Sequence, residues 1–281
     1  MRVIESCAEC LYDKQYHLSQ DEGYLAEVKE ILKNRRENDT SPYMVYLFNQ
    51  AYEKRFGKRA SYREVKKKYN DLVLSMEEFI REKIELADDP LSESLVYARI
   101  GNYIDFGAMN HVDEQTFLSL FDDVGVHQRD SAAVESFVRQ CSEAHKFLLL
   151  TDNCGEIVLD KLFIEQLKKR FPHLQVTVMV RGREVLNDAT LEDAEYVGLD
   201  KVANVIDNGD AVAGTIYEML SDQARDELDN ADVILAKGQG NYESLCRQGR
   251  HIFYSFLCKC ELFMERFHVP QFTGIFVEEL K

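Results

Sequence analysis

The spacing of apolar residues changes near residue 145 and divides the chain into two parts. Before that point apolar residues recur at intervals of three and four, which is the period of a helix with one buried face. The longest such stripe lies in an otherwise charged segment and must face a partner helix. Its members are Leu72, Met76, Phe79, Ile80 and Ile84. We therefore predict an all-helical N-terminal domain over residues 1–145.

Local sequence signals predict where helices of this first part begin. Residues 40–42 read Thr-Ser-Pro, which is typical of an N-cap followed by a proline in the first turn. Ser61 with Glu64 three residues later has the spacing of a capping box. Residues 89–90, Asp-Pro, indicate a further start. Three of the helices are thus located from sequence.

After residue 145 short apolar runs alternate with amphipathic stretches of ten or more residues. Runs that are apolar on both faces, each followed by a helix, are typical of a mostly parallel sheet covered on both sides. The predicted strands are 147–150, 176–180, 202–206, 233–236, 252–256 and 275–277. The fold class is therefore α/β, with a Rossmann-like α/β/α sandwich over residues 146–281.

Charge and composition exclude several classes of function. Acidic residues outnumber basic ones by 50 to 34, and the net charge of −16 repels a nucleic-acid backbone. No uninterrupted apolar segment approaches the roughly 20 residues that a membrane span needs, and the start MRVIESCAEC lacks the apolar core of a secretion signal. Seven cysteines, an odd number with tight local spacings, suit free or metal-binding thiols better than disulfides. We expect a cytoplasmic protein with neither nucleic acid nor membrane as a partner.

Polar residues and glycines follow the first four predicted strands. Ligands of open parallel sheets bind beyond the carboxyl ends of the strands, where helix N-termini also point. The four segments are TDNCGE at 151–156, RGREVLND at 181–188, DNGDAVAGT at 207–215 and KGQGNYESL at 237–245. Their coincidence at one edge of the sheet predicts a binding site there.

Asp152, Asn153 and Asp188 are the candidate metal ligands. Three oxygen ligands with room for waters suit a hard divalent cation, first of all Mg²⁺ or Mn²⁺, with Co²⁺ and Ni²⁺ as further candidates. Gly155 allows the sharp turn into the next helix. The alternative is that Asp and Asn after a strand serve only as an N-cap.

Lys237, Gly238 and Gly240 are the candidate phosphate contacts. Backbone amides of a Gly-X-Gly turn can face an anion, and the lysine ammonium adds a point charge. Together with a metal ion this set is suited to transfer of a phosphoryl group to water, in which the lysine offsets developing charge. Ordinary turn chemistry is the alternative for such a glycine-rich loop.

Several sequence motifs occur together in a fixed order along the chain. They are GNYIDFG at 101–107, TDNCGE at 151–156, RG and LND between 181 and 188, VGLD, VIDNG and GT between 197 and 215, AKGQGNYESL at 236–245 and LCKC at 257–260. These motifs resemble those of the metal-dependent damage-control phosphatases, a family long catalogued as a domain of unknown function. The resemblance implies a helical domain on an α/β/α sandwich, hydrolysis of small phosphometabolites such as sugar phosphates or damaged phosphorylated intermediates, and a divalent metal cofactor.

The resemblance also assigns roles to individual residues. It implies that Asp152, Asn153 and Asp188 hold the metal and that Lys237 contacts phosphate. It places further residues around the substrate, with the first two of them on the helical side: Asn102, Asp105, Glu156, Arg181, Asn187, Gly238, Gly240 and Asn241.

The cysteines resemble the signature of the mainly prokaryotic branch of that family. The signature consists of CxxC at 7–10, Asp-Asn at 152–153 and Lys-Cys at 259–260. A zinc site made by the CxxC cysteines together with Cys258 and Cys260 is one interpretation, and buried free thiols are the favoured one. For Cys154 we expect a small residue that fills a tight turn.

Two other functions remain open from sequence. A carboxyl methyltransferase that uses S-adenosylmethionine is compatible with a Rossmann-like layer, although the first strand is not followed by the usual glycine-rich turn. A non-catalytic phosphometabolite sensor could use the same pocket.

Overall fold

The computed structural model describes residues 1–105, 114–121 and 131–281. The helices are α1 (Glu5–Leu18), α2 (Glu22–Lys33), α3 (Ser41–Phe56), α4 (Arg63–Leu86), α5 (Pro90–Gly101), α6 (Glu114–Ser119), α7 (Ser131–Glu143), α8 (Glu156–Arg170), α9 (Leu191–Val197), α10 (Asp222–Asn230), α11 (Gly238–Leu245) and α12 (Glu261–Phe267). The strands are β1 (Lys146–Leu150), β2 (Gln175–Val180), β3 (Asn204–Asp207), β4 (Val233–Lys237), β5 (Ile252–Leu257) and β6 (Gly274–Glu279).

The six strands form one sheet in the order β3-β2-β1-β4-β5-β6. The first five are parallel, and β6 runs antiparallel to β5. The chain moves outward from β1 to β2 and β3, then returns to the other side of β1 for β4. The carboxyl ends of β1 and β4 therefore flank a topological switch point, where ligands of such sheets bind.

Apolar side chains cover both faces of the sheet. Phe147 and Leu149 of β1 belong to the larger core, and Leu148 and Leu150 to the core on the opposite face. This alternation follows from the two-residue period of a strand. The predicted α/β fold with a mostly parallel sheet is confirmed.

The helices of the first half belong to two different cores. The helices α1, α2 and α3 pack around a core of their own, which includes Phe48. Ile84 of α4 and Leu95 of α5 share the larger sheet core with Phe163 of α8. A domain boundary between residues 145 and 146 stays a prediction. The helices α4 and α5 pack directly on the sheet layer, so elements on both sides of this boundary share one core.

Two local predictions in the helical half need correction. The helix α4 begins at Arg63 and lacks the predicted capping box, because the Ser61 hydroxyl accepts from the Arg63 amide at 3.1 Å and donates to Glu184 at 2.9 Å. Phe79 is 58 % exposed, whereas Ile80 is fully buried. The starts of α3 after Thr40 and of α5 after Asp89 agree with the sequence signals. Among the described residues, no helix combines the length and apolarity that a membrane crossing requires.

Candidate active site

The chain turns sharply after β1 and brings the predicted metal ligands together. Asn153 forms an isolated antiparallel bridge with Asp188, and the Ala189 amide donates to the Asp152 carbonyl at 2.8 Å. Gly155 makes this turn with φ of +71°, and a Cβ atom there would lie 2.7 Å from the Ile104 Cδ1. Glycine is therefore required by both conformation and space.

Asp152 and Asp188 form a buried carboxylate pair beside one guanidinium group. The Arg181 Nε donates to the Asp188 Oδ2 at 2.7 Å, and its second terminal nitrogen lies 3.5 Å from the Asp152 Oδ1. Burial raises the pKa of Asp188 to about 6, against the opposing effect of Arg181. Burial, followed by the charges of Asp188 and Glu156, raises the pKa of Asp152 well above its usual range. The site thus holds more negative charge than its own cations offset.

The donor set at this position fits a divalent cation. Two carboxylates and an amide side chain meet at the sheet edge, and the mutual repulsion of the carboxylates is the feature that a bound cation relieves. Across the described parts of the chain, no group of three or more His, Cys, Asp or Glu side chains is arranged to hold a metal ion. An ion here would therefore depend on the Asn153 amide and on water as well as on Asp152 and Asp188.

Amide side chains orient the Asp152 carboxylate. Its Oδ2 accepts from the Nδ2 of Asn102 at 2.9 Å and of Asn153 at 2.7 Å. The same two amide groups donate to the Glu156 Oε2, at 3.0 and 3.1 Å. The Asn102 Oδ1 accepts from the Leu257 amide at 3.1 Å, which links this network to the end of β5. Asn102 therefore fixes the orientation of the Asp152 carboxylate from the helical side.

Lys237 lies in the same network, but its ammonium does not face the carboxylate pair. It donates to the Ala98 carbonyl at 3.0 Å, to Glu156 at 2.7 Å and to Asp160 at 2.5 Å. An ammonium has three N–H groups, so this buried side chain has no donor left for phosphate. The phosphate contact of Lys237 stays a prediction, and the three acceptors around its ammonium do not favour it. The cause is strand alternation, which turns this side chain towards α5 and α8.

Lys259 supplies an ammonium at the same edge of the sheet. It follows β5, its Nζ donates to the Asp105 carboxylate at 2.6 Å, and its charge acts on Asp152. The Asp105 side chain is 13 % exposed, compared with 5 % for that of Asp188. The polar segments that the sequence predicts to form the site follow the first four strands, whereas Lys259 follows the fifth. The fifth strand end, read in the same way, would have pointed to Lys259.

The glycine-containing first turn of α11, directly after β4, packs against the carboxylates. A Cβ atom at Gly238, where φ is +79°, would lie 2.0 Å from the Asp152 Oδ2, and one at Gly240 would lie 2.2 Å from the Ala213 carbonyl oxygen. Asn241 accepts from Arg181 at 3.3 Å through its Oδ1 and donates to the Thr151 carbonyl at 3.0 Å. These residues hold the site together through close backbone contact.

Asn187 and Cys154 have structural contacts next to the predicted metal ligands. The Asn187 Nδ2 donates to the Ile104 carbonyl at 2.9 Å and lies 3.8 Å from the Cys154 Sγ. Burial raises the pKa of Cys154, so its thiol has little thiolate character. Cys154 therefore fills a buried turn, as its position in the sequence suggests.

All seven cysteines are free. Cys258 is buried, but Cys10 and Cys260 are exposed, so the expectation of buried thiols holds only in part. Burial raises the pKa of Cys7 to about 11, with a smaller contribution from the charge of Cys260. The CxxC segment of α1 thus lies within electrostatic range of the Lys-Cys segment after β5.

The fold and the site together define a class: an α/β protein whose sheet switch point carries an acidic, oxygen-rich site suited to a cation. Residues 2–274 match the family described as the damage-control phosphatase ARMT1-like domain. The chain belongs to this family.

Two relatives and one solved structure are similar over long stretches. A damage-control phosphatase from Archaeoglobus fulgidus is 32 % identical over 276 residues, which cover 93 % of each chain. A damage-control phosphatase from Pyrococcus horikoshii is 30 % identical over 212 residues, covering 74 % of this chain and 71 % of that protein. The crystal structure of a DUF89 family protein from Pyrococcus horikoshii superimposes with a TM-score of 0.82 at 26 % identity, covering 99 % of both chains. The branch indicated by the cysteine signature stays a prediction.

Proposed function

We propose that this protein is a metal-dependent phosphomonoester hydrolase that acts on small phosphorylated metabolites, such as sugar phosphates or damaged phosphorylated intermediates. Family membership and the names of the two relatives support phosphatase activity. The observation that carries the metal requirement is the buried carboxylate pair of Asp152 and Asp188, which share the guanidinium group of Arg181.

Asp152, Asn153 and Asp188 are the proposed ligands of the ion, which would be Mg²⁺, Mn²⁺, Co²⁺ or Ni²⁺. A divalent ion at this position supplies charge that polarises the phosphoryl oxygens. Arg181 bridges towards both carboxylates and keeps them at a fixed separation. The protein's own part is thus to hold the oxygens in place before substrate arrives.

Lys259 is the proposed phosphate-binding cation in place of Lys237. Its ammonium is held by a single described carboxylate, Asp105, whereas Lys237 donates to three acceptors. An ammonium with donors to spare can bind a phosphoryl oxygen without losing its existing partner. Asp105 would then position the buried Lys259 ammonium at the same edge of the sheet as the proposed metal ligands.

The attacking group is the point on which two routes differ. Either a water molecule attacks phosphorus directly, or an aspartate such as Asp152 first forms a phospho-enzyme that water then hydrolyses. Amide donors and Arg181 already engage the Asp152 carboxylate. Substrate labelled on phosphorus separates the routes, because only the second leaves label on the protein.

The proposal is tested by phosphate release from a panel of sugar phosphates and phosphorylated cofactors, with each of the four metals supplied in turn. Activity should require metal and should be lost in Asp188→Asn. Asp222→Asn is the control, since the Asp222 side chain is 98 % exposed and forms a surface pair with Arg225 at 3.3 Å. Absence of metal-dependent release from every substrate would refute the proposal.

The same samples test the two other functions. A sensor would bind phosphorylated ligands in calorimetry without turnover. A methyltransferase would bind S-adenosylmethionine, which the phosphatase proposal does not require.

A further inference from the structure

A chain of buried polar contacts continues from the candidate metal ligands into the protein interior. It begins at Asp152, passes through the Asn102 and Asn153 amides to Glu156, and reaches Lys237. No residue of this hydrogen-bonded network is more than 6 % exposed. Its last member, Asp160, belongs to neither the predicted metal site nor the predicted substrate site.

Asp160 lies one helical turn after Glu156 on α8, so both carboxylates are on one face of the helix. Each receives a hydrogen bond from the Lys237 ammonium, and the third ammonium donor binds the Ala98 carbonyl of α5. Asp160 is fully buried, and within the described residues its Oδ2 has no hydrogen-bond partner. Removing Asp160 would therefore leave one buried N–H of Lys237 without an acceptor.

The two oxygens of the Glu156 carboxylate accept hydrogen bonds from different partners. Its Oε1 accepts from Lys237 at 2.7 Å, and its Oε2 accepts from the Asn153 Nδ2 at 3.1 Å. An Asn side chain carries one oxygen and one nitrogen, and its hydrogen-bond partners decide which of them points in a given direction. Because two carboxylates attract the Asn153 nitrogen, the Asn153 oxygen is left for a cation.

We propose that Asp160 is a positioning residue that acts on the metal site through Lys237 and Glu156. With Asp160 in place, Lys237 is held on three sides and fixes Glu156, and Glu156 fixes the orientation of the Asn153 amide. The inference rests on the proposed metal site, because it concerns the presentation of a ligand to that ion. Groups behind metal ligands commonly change metal affinity by about 10- to 100-fold when they are removed.

The test measures Mn²⁺ affinity by calorimetry and thermal stability by scanning calorimetry in matched variants. Asp160→Leu should bind Mn²⁺ about 10- to 100-fold more weakly. Asp160→Asn retains an acceptor oxygen for Lys237 and should remain within about threefold of wild type. Glu77→Leu is the matched control, since Glu77 also pairs with a largely buried α8 lysine, Lys161 at 2.9 Å, without contacting Glu156. It should lose stability but keep its Mn²⁺ affinity.

A double variant tests whether Lys237 carries the effect. Asp160→Leu with Lys237→Met removes the ammonium but leaves the buried Glu156 carboxylate without its cation, so stability should fall below that of Asp160→Leu alone. Mn²⁺ affinity should stay about 10- to 100-fold low, because Glu156 has lost the group that fixes it. Wild-type affinity in a folded Asp160→Leu protein or in the double variant would overturn the inference. If the wild-type protein binds no Mn²⁺, the proposed metal site itself fails, and that outcome is distinct from the first.

Discussion

Replacement of Gly238 by alanine is the sharpest test of the assignment of Asp152. Two effects follow from the structure. A Cβ atom would lie 2.0 Å from the Asp152 Oδ2 and 2.2 Å from its Cγ, and the backbone would keep a φ of +79°. The first effect acts on the carboxylate and the second on stability, so they can be measured separately.

The magnitude of each effect follows from geometry. Real Cβ contacts are essentially never shorter than 3.0 Å, so the carboxylate must move by at least the missing 1.0 Å. A misplacement of about 1 Å in an active site costs about 100-fold in rate, or about 2.7 kcal/mol of activation free energy. An alanine forced into left-handed backbone costs about 1–2 kcal/mol of stability. Catalysis should therefore suffer more than folding.

Gly249→Ala is the matched control for backbone strain. Gly249 has a φ of +68°, and an added Cβ atom would meet nothing within 4 Å. Both variants should lower the melting temperature by about 2–8 °C, since 1 kcal/mol corresponds to about 2–4 °C for chains of this size. Only Gly238→Ala should lower kcat about 100-fold and weaken Mn²⁺ binding in calorimetry. Equal kcat and Mn²⁺ affinity in the two variants would show that Asp152 does not act as assigned.

Two further outcomes follow from the charges at the site. Lys259→Met should lower kcat/KM about 10- to 150-fold, the equivalent of a lost charge-assisted hydrogen bond of about 1.5–3 kcal/mol, and should leave Mn²⁺ affinity nearly unchanged. Steady-state kinetics and calorimetry check this, and a normal kcat/KM would remove Lys259 from phosphate binding. Burial raises the pKa of Asp188 to about 6, so the metal-free folded protein binds this proton more tightly than the unfolded chain does. The free energy of unfolding of the metal-free protein should therefore fall as pH rises through that pKa. Mn²⁺ should therefore raise the melting temperature more at pH 7.5 than at pH 5, and the opposite order in scanning calorimetry would contradict the reasoning.

The sequence predicts the sheet well because its strands are buried on both faces. Every residue of β4 and β5 is buried, and a run of that kind has few other interpretations. The edge at which the polar segments meet follows from parallel topology alone. Asp152, Asn153 and Asp188 could therefore be predicted as neighbours, although the second and the third lie 35 positions apart.

The same burial explains why the direction of the Lys237 side chain could not be predicted. Strands that are apolar on both faces show no alternation of apolar and polar residues in the sequence. The sequence therefore does not reveal to which face of the sheet the last side chain of β4 points. For a similar reason the sequence does not single out Asp160 as a candidate for a role near the site. Almost every position of α8 from Glu156 to Leu167 is buried, and the helix therefore lacks an amphipathic pattern that would mark a polar residue as unusual.

The contacts of Asn102 and Asp105 depend on long-range packing that no local pattern encodes. Asn102 reaches a carboxylate 50 positions later, and Asp105 binds an ammonium 154 positions later. The first contact depends on the packing of α5 against α8, and the second on the packing of α5 against β5. The resemblance to a family could point to these residues, whereas spacing along the chain could not.

The balance of buried charge gives an independent reason to expect a divalent ion. Five carboxylates, those of Asp105, Asp152, Glu156, Asp160 and Asp188, share the network with three cations, Arg181, Lys237 and Lys259. The nearby buried pair of Lys66 and Asp193, 2.5 Å apart, adds no net charge. Among the described residues of this network, carboxyl groups thus outnumber cations by two in a region of low exposure, where an uncompensated charge is costly and raises carboxyl pKa values instead. One divalent cation between Asp152 and Asp188 would neutralise that excess at the position where the pKa values of the carboxyls are raised.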